Sequence, residues 1–439
     1  MRRFLLSLLA YLARAVVRRQ RPTIVGVTGS VGKTSTRDAI RVVLAADRNV
    51  RSSPKNYNNE IGLPIAIIGG RAPGRSPFRW LAAIGRGIGL ACVHTLRYPD
   101  ILVLEYGADH PGDIAYLTRI APPNIAVVTA VGPAHTEFFR SVERVVAEKR
   151  RLVTSIPRDG VAVLNRDMED VYAMRDRTRA RVMTYGFHAE ADVRAVEDQV
   201  TYAASSASDT SRLTTHDSRL PTGIAFKVLV GGSAVPVHLR GCLGRGHVSS
   251  ALAAIAVGTA SGMHLVEIAH ALAGYEPPPG RMAVLPGVKQ TTIIDDTYNA
   301  SPLAVTVAVE ALVELAGERR IAVLGDMLEL GPLTEHAHQH VGELIAARGI
   351  DMLVTVGEAS RYIAAGARAG GMPADRVLEF RTASEAGRFV QDFLQPGDVV
   401  LVKGSQGMRM ERIVEELMAE PLRARELLCR QDESWLTRA

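Results

Sequence analysis

The sequence predicts an α/β protein, a parallel-sheet central domain carrying a phosphate-binding loop followed by a smaller α/β domain. Three observations predict it. Short apolar runs of strand length alternate along the chain with segments of helical periodicity, the pattern of parallel sheets covered by helices. The first run, Thr23-Ile24-Val25-Gly26-Val27, leads through the glycine-rich Thr28-Gly29-Ser30-Val31-Gly32-Lys33-Thr34-Ser35 into a helix. Finally, Pro277-Pro278-Pro279-Gly280 breaks the chain, and beyond it the alternation starts again; three prolines fix φ and remove donors, so neither helix nor strand passes through. At 439 residues the chain exceeds what one core organises.

Each element follows in order. Residues 1–22 read as a basic amphipathic helix. Its apolar run is broken by Arg14, Arg18 and Arg19, no small-residue cleavage site follows, and it is too short to span a bilayer. Two readings stand: a helix docked on the protein's own core, which is preferred, and a helix lying on an anionic membrane surface through Arg2, Arg3, Arg14, Arg18 and Arg19. The central domain, 23–276, carries apolar strands over 23–27, 101–104, 125–129 and 161–164, with helices over 34–46 and 142–156. Between 185 and 240 the pattern alternates, with a Ser/Thr/Asp-rich stretch over 203–218, which predicts an antiparallel portion with a polar loop. Helices return over 248–261 and 265–272. The C-terminal domain, 280–420, is Rossmann-like: strands over 291–294, 321–324, 352–356 and 399–402, helices over 302–316, 335–348, 383–394 and 409–418. The charged tail, 421–439, reads as poorly ordered.

Composition excludes more than it identifies. Hydrophobic residues make up 47% and charged residues 22%, as in an ordinary globular protein. Aromatics at 5% are too few for a single-strand stacking surface, so no nucleic-acid partner is expected. The formal charge of +6 is spread along the chain as arginine and decides little. Cys92, Cys242 and Cys429 are distant and odd in number, which supports neither a zinc site nor a disulfide framework and suits a reducing cytoplasm.

The loop carries the first chemistry. Gly29 and Gly32 let the backbone wrap an anion, Lys33 adds a cation for β- and γ-phosphates, and the Thr34 hydroxyl is placed to ligate Mg²⁺. The helix that follows offers its positive end to the same phosphates. The commonest phosphate-loop spacing would put glycine at 27, where this chain has Val27.

Further motifs follow in order: Ser53-Pro54-Lys55-Asn56-Tyr57-Asn58-Asn59-Glu60-Ile61-Gly62-Leu63-Pro64, Glu105-Tyr106-Gly107-Ala108-Asp109-His110-Pro111-Gly112, His135-Thr136-Glu137, and Lys149. Past the prolines come Gly280-Arg281, Asp295-Asp296-Thr297-Tyr298-Asn299-Ala300-Ser301-Pro302, Gly325-Asp326-Met327-Leu328-Glu329-Leu330-Gly331, and Lys403-Gly404-Ser405. Over about residues 23–418 this set resembles the Mur ligase family, and within it the branch that adds D-alanyl-D-alanine to a UDP-linked muramyl tripeptide. The resemblance implies ATP and Mg²⁺ as cofactors, those two small molecules as partners, and a monomer. The substrate carboxylate would attack the γ-phosphate of ATP, and an amine would then displace phosphate from the acyl phosphate.

Residue by residue, Glu105 ends an apolar strand, where its carboxylate either is solvated or reaches a metal held by the loop. His135, after a short Gly-Pro loop, is structural or exposed on its own terms; the resemblance implies that it ligates a second Mg²⁺. Lys149 sits among Glu148, Arg150 and Arg151, a solvated charge face on its own terms; the resemblance implies a lysine carbamylated by CO₂ that turns into a metal-binding anion. Catalysis would thus rest on Lys33, Glu105, His135 and Lys149. Asn58 and Asn59 are either turn residues or line the substrate side. Arg281 follows the proline break and can swing a guanidinium onto nucleotide phosphates. Asp296, Tyr298 and Asn299 contact adenosine by resemblance, and Lys403 and Ser405 face the amine substrate's carboxylate. Asp326 and Glu329 read equally as capping carboxylates. Two departures are present. Relatives carry a UDP-sugar-binding domain ahead of the loop, and here 22 residues precede the first strand, so a short form is expected. His247 stands where relatives place an adenine-contacting asparagine. Competing readings are a folate- or cyanophycin-type ligase, a nucleotide-gated binding protein, and a phosphohydrolase with no acceptor.

Overall fold

The computed structural model describes residues 2–54, 57–70, 73–74, 76–133, 136–203 and 220–436. Two sheets organise them. The larger contains β1 (Thr23–Thr28), β2 (Val50–Ser52), β3 (Ile101–Glu105), β4 (Ile125–Val128), β5 (Val161–Asn165), β6 (Arg181–Gly186), β7 (Val193–Tyr202), β8 (Pro221–Val230) and β9 (Ser233–Arg240), in the order β2-β3-β1-β4-β5-β6-β7-β8-β9. It is parallel from β2 through β7, and β8 and β9 close it antiparallel. The expected antiparallel portion is therefore β7–β9, while 204–219, most of the polar stretch, lies outside the described residues. Apolar layers bury both faces of the parallel strands, which is why β1, β3 and β4 are runs of Ile, Val and Leu rather than alternating patterns.

The smaller sheet holds β10 (Ala283–Pro286), β11 (Thr292–Asp296), β12 (Arg320–Gly325), β13 (Met352–Val356), β14 (Val377–Phe380) and β15 (Val399–Lys403), in the order β10-β11-β15-β12-β13-β14. Only β10 is antiparallel. Short elements escaped the sequence reading. β2, β10 and β14 have three or four residues each, too few to show a period, and helix Pro77–Cys92 has apolar residues all round instead of one stripe.

The N-terminal helix, Arg2–Gln20, docks on the body of the protein: Leu9, Leu12, Ala13 and Val16 are buried in the same core as Leu63, Ile67 and Leu117. Leu9→Ala should lower unfolding free energy by about 3 kcal/mol through lost burial and a residual cavity, read as a shifted urea midpoint at unchanged slope. The tail departs from expectation. Leu428, Cys429 and Arg430 are buried, because Arg430 pairs with Glu411 at 2.7 Å and donates to the carbonyl of Tyr298 at 2.9 Å and to that of Thr297. Those charges serve a buried network rather than solvation.

Candidate active site

Register brings the site together. Val27 lies opposite Glu105 and Thr28 opposite Val128, so what leaves β1, β3 and β4 meets at one sheet edge. From β1 comes the glycine-rich loop. Gly29 has φ 148° and a side chain there would stand 2.0 Å from Thr129 Oγ1; Gly32 has φ 85° and precedes helix Lys33–Ala45. Both positions demand glycine. The first helical bond is Thr36 N–H to Gly32 O at 2.9 Å, so the N–H groups of Lys33, Thr34 and Ser35 have no acceptor within the helix and point out of its positive end. The loop crest contributes less than expected, since Ser30 and Val31 N–H both donate to Ala130 O, at 2.6 and 3.4 Å. Thr28 is buried and donates to Tyr106 O at 2.8 Å, fixing the loop's entry. Lys33 Nζ folds back onto Gly29 O at 2.8 Å, and burial lowers its pKa against the opposing pull of Glu105.

Glu105 is the centre of the cluster. It is buried, accepts from Thr34 Oγ1 at 3.1 Å and from Asn58 Nδ2 at 3.1 Å, and lies 3.5 Å from Arg37 Nη1. The solvated reading of this carboxylate is excluded. The two asparagines divide the alternatives: Asn58 joins the site, whereas Asn59 Oδ1 accepts from Ile61 and Gly62 N–H at 3.2 and 2.9 Å and serves the turn into helix Gly62–Ile68.

Lys149, on helix Val142–Thr154, is not part of a solvated face either. Glu148 accepts from Gly112 and Ile114 N–H at 3.0 and 2.8 Å, and Lys149 is 2% exposed. Burial, and then the charge of Lys33, push the Lys149 amine down to about 7, with Asp109 as the largest opposing charge. The neutral fraction of such an amine is a nucleophile toward CO₂. His135 lies outside the described residues.

The second sheet presents its own edge. Arg281 reaches across to donate to Thr34 Oγ1 at 3.0 Å, its guanidinium 4.1 Å from the Tyr298 ring centroid, and its Nε is buried without a hydrogen-bond partner. Such an orphaned donor beside the loop fits a phosphate oxygen. Asp296 pairs with Lys403 at 2.6 Å, and Lys403 also donates to Asn299 O at 2.9 Å. Burial raises the Asp296 pKa, partly offset by Lys403. Ser405 Oγ accepts from Leu328 N–H at 2.8 Å. In this state Lys403 and Ser405 hold the loops around Asn299 and Leu328, so a substrate carboxylate reaches Lys403 only by displacing Asp296. Asp326 accepts from Ser360 N–H at 2.7 Å, a loop-holding role, and Glu329 O accepts from Glu137 N–H at 3.3 Å. With Thr136 Oγ1 to Leu330 O at 3.1 Å, these bonds tie the two sheets together beside the site.

His247 has both ring nitrogens engaged, Nδ1 with Tyr275 Oη at 2.9 Å and Nε2 with Arg281 O at 2.8 Å. It therefore sets the backbone of Arg281, and in this state neither nitrogen is open to adenine. Ser35, also buried, bonds the same tyrosine. Burial pushes His247 down to about 4. The folded pKa lies below the unfolded one, so the unfolded state takes the proton first and stability falls as pH drops from about 6.5 to about 4. His247→Gln should remove about 2 kcal/mol of that pH dependence between about pH 7 and about pH 4.5, measured by urea unfolding at those two values.

Three contributors were missed on sequence. Arg37 stands in none of the motifs and is buried against Glu105. Asp109 acts on both lysines, and Arg430 steadies the Thr297–Tyr298 backbone from the far end of the chain. Only Asp109, inside a quoted motif, carried a signal.

Comparisons with known proteins place the chain in a family. Residues 89–258 match the family model described as Mur ligase middle domain, and 280–406 that described as Mur ligase, glutamate ligase domain. The UDP-N-acetylmuramoyl-tripeptide–D-alanyl-D-alanine ligase of Mycobacterium leprae (strain TN) is 32% identical, over 94% of this chain and 78% of its own length. The ligase of the same name from Bacillus subtilis (strain 168) is 29% identical over 95% of this chain and 80% of its own. The MurF ligase from Thermotoga maritima, solved in complex with ADP, superposes with a TM-score of 0.75 at 28% identity, covering 94% of this chain and 83% of that one.

Proposed function

The chain belongs to the Mur ligase family, and on that premise we propose that it is an ATP-dependent ligase joining D-alanyl-D-alanine to a UDP-linked muramyl tripeptide, in the cytoplasm, with 23–276 as the nucleotide-binding domain and 280–420 as the domain that closes on it. The observation that carries the reading is the convergence of Lys33, Thr34, Glu105 and Arg281 at one sheet edge, beside a buried lysine whose pKa is pushed down to about 7.

In the first step a carboxylate oxygen of the muramyl peptide attacks the γ-phosphorus of ATP, the bond to the β-bridging oxygen breaks, and ADP leaves with that electron pair. Lys33, the N–H groups at the start of its helix, and Arg281 hold the phosphates in line and offset their charge. In the second step the amine of D-alanyl-D-alanine attacks the acyl carbon, the tetrahedral intermediate expels phosphate, and the nitrogen loses a proton to give the amide. The bonds from Thr136 and Glu137 to the 329–330 loop close the site and keep water from the acyl phosphate.

Mg²⁺ fits the donors present. Thr34 Oγ1 and Glu105 Oε2 are hard oxygens 3.1 Å apart at the loop. Among the described residues no group of three His, Cys, Asp or Glu side chains forms a site, so the remaining ligands come from nucleotide phosphates and water, and for a second ion from His135 and a carbamate on Lys149. Bound there, the ion would neutralise charge on the transferring phosphoryl group. Carbamylation itself balances simply: the neutral amine adds to CO₂, an N–C bond forms, and one proton is released.

The test is direct. Purified protein with ATP, Mg²⁺ and UDP-linked muramyl tripeptide should release phosphate and form a product of the expected mass only when D-alanyl-D-alanine is added. Turnover that ignores the dipeptide, or a product formed with glutamate instead, would remove the assignment.

A further inference from the structure

Helices Arg2–Gln20 and Pro77–Cys92 pack side by side on the outside of the larger unit. A side chain at Gly87 would meet Leu12 at 3.3 Å, and Gln20 Nε2 donates to Leu90 O at 2.6 Å and Val93 O at 2.7 Å. Of the thirteen most exposed large apolar side chains among the described residues, seven fall on this pair and the turn after it, and the other six are scattered. On Pro77–Cys92 the exposed Phe78, Leu81 and Ile88 are spaced by three and seven and share the face opposite the buried Ala83 and Gly87. The helix is thus apolar toward solvent as well as toward the protein. Phe78 is 80% exposed, and Leu96 in the following turn 94%. Phe4 and Tyr11, seven apart, are exposed in the same way on the partner helix, opposite Leu9 and Val16.

The charge around this surface is one-sided. Segments 1–22 and 71–99 contain eleven arginines and no aspartate or glutamate, whereas the rest of the chain carries 41 basic against 46 acidic residues. Arg14, Arg18 and Arg119 line a cleft at the edge of the N-terminal helix. No described helix is long and apolar enough to cross a membrane. A cluster of exposed large apolar side chains marks an interaction site, and segments that carry cations and no anions select a negatively charged partner. A second copy of the chain is disfavoured, because it would set arginine against arginine across the interface.

We propose that this two-helix face docks the protein on the surface of a bilayer containing anionic lipid. Phe78, Leu81, Ile88 and Leu96 enter the headgroup–acyl boundary, the arginines meet lipid phosphates, and both helices lie in the membrane plane. The expectation from sequence placed any such contact on the N-terminal helix alone; the structure assigns the larger share to Pro77–Cys92.

The experiment is co-sedimentation of the full chain with extruded vesicles, either phosphatidylcholine alone or with phosphatidylglycerol. Wild type should partition at least tenfold more strongly to the anionic vesicles, and high salt should weaken it. Leu81→Glu/Ile88→Glu should lower partitioning by a further tenfold or more while leaving solution ATP turnover unchanged. Leu96→Glu, in an exposed turn where the fold cannot object, should lower it severalfold. Equal binding by wild type and both variants, equal binding to neutral and anionic vesicles, or a dimer in sedimentation velocity that Leu81→Glu/Ile88→Glu dissolves would each overturn the proposal.

Discussion

Lys149→Ala should reduce kcat by about a thousandfold or more, the scale on which a charged group serving phosphoryl transfer acts. Acetate or propionate, which can put a carboxylate into the space the lysine vacates, should restore part of the activity, and bicarbonate should not. The reason lies in the amine's surroundings. Burial and the neighbouring Lys33 bring it down to about 7 from the ordinary lysine value of 10.5. Near pH 7 about half the amines are neutral; at 10.5 about one in three thousand would be. Only the neutral form attacks CO₂. The sign follows: a lowered pKa keeps the reactive form populated above about 7, so with bicarbonate limiting, activity should fall as pH drops from 8 to 6, and saturating bicarbonate should shift that profile to lower pH. Full activity in the alanine variant, or a profile indifferent to bicarbonate, would discard carbamylation while leaving the ligase assignment standing.

Glu105→Gln should cost about a hundred- to a thousandfold in kcat/KM and raise the Mg²⁺ concentration needed for half-maximal rate. The substitution keeps the shape and removes the charge. Glu105 receives the Thr34 hydroxyl and the Asn58 amide on its two oxygens, with Arg37 beside it. A glutamine puts an NH₂ against one of those donors and removes the negative charge 3.5 Å from the buried Arg37. Asn58→Ala, which removes one hydrogen bond to the carboxylate, should cost about tenfold. The measurement is a Mg²⁺ titration of initial rates, with a thermal melt to show that both variants fold. A glutamine variant with the wild-type rate and Mg²⁺ requirement would show that the carboxylate serves only to hold Thr34 in place.

The site was legible where local chemistry is self-contained. The loop needs glycine, lysine and a hydroxyl in one short stretch, and Glu105 needs only to end an apolar strand; both are local statements, and Thr34 and Glu105 lie 3.1 Å apart. Lys149 was harder. Glu148-Lys149-Arg150-Arg151 looks like any solvated helix face, and only packing reveals that Glu148 turns inward to Gly112 and Ile114 while Lys149 loses water. His247, Lys403 and Ser405 were read as ligand contacts from their motifs, and each is bonded within the protein across gaps of 28 to 107 residues. Arg430 lay in a tail that composition marked as loose, and its partners Thr297 and Tyr298 are more than a hundred residues away.

The chain's own order of residues therefore determined the class of fold and the place of the glycine-rich loop, because periodicity and glycine placement act over a few neighbours and survive without knowledge of what packs on what; the reaction type came from the motifs that resemble a known family. Tertiary structure alone decided which charges lost their water. Burial pushed the Lys149 amine down to about 7, fixed His247 as a support for Arg281, docked the tail under Tyr298, and left Phe78, Leu81 and Ile88 of helix Pro77–Cys92 exposed among the described residues. Desolvation depends on everything packed around a group at once, and that sum is not written at any single position of the chain.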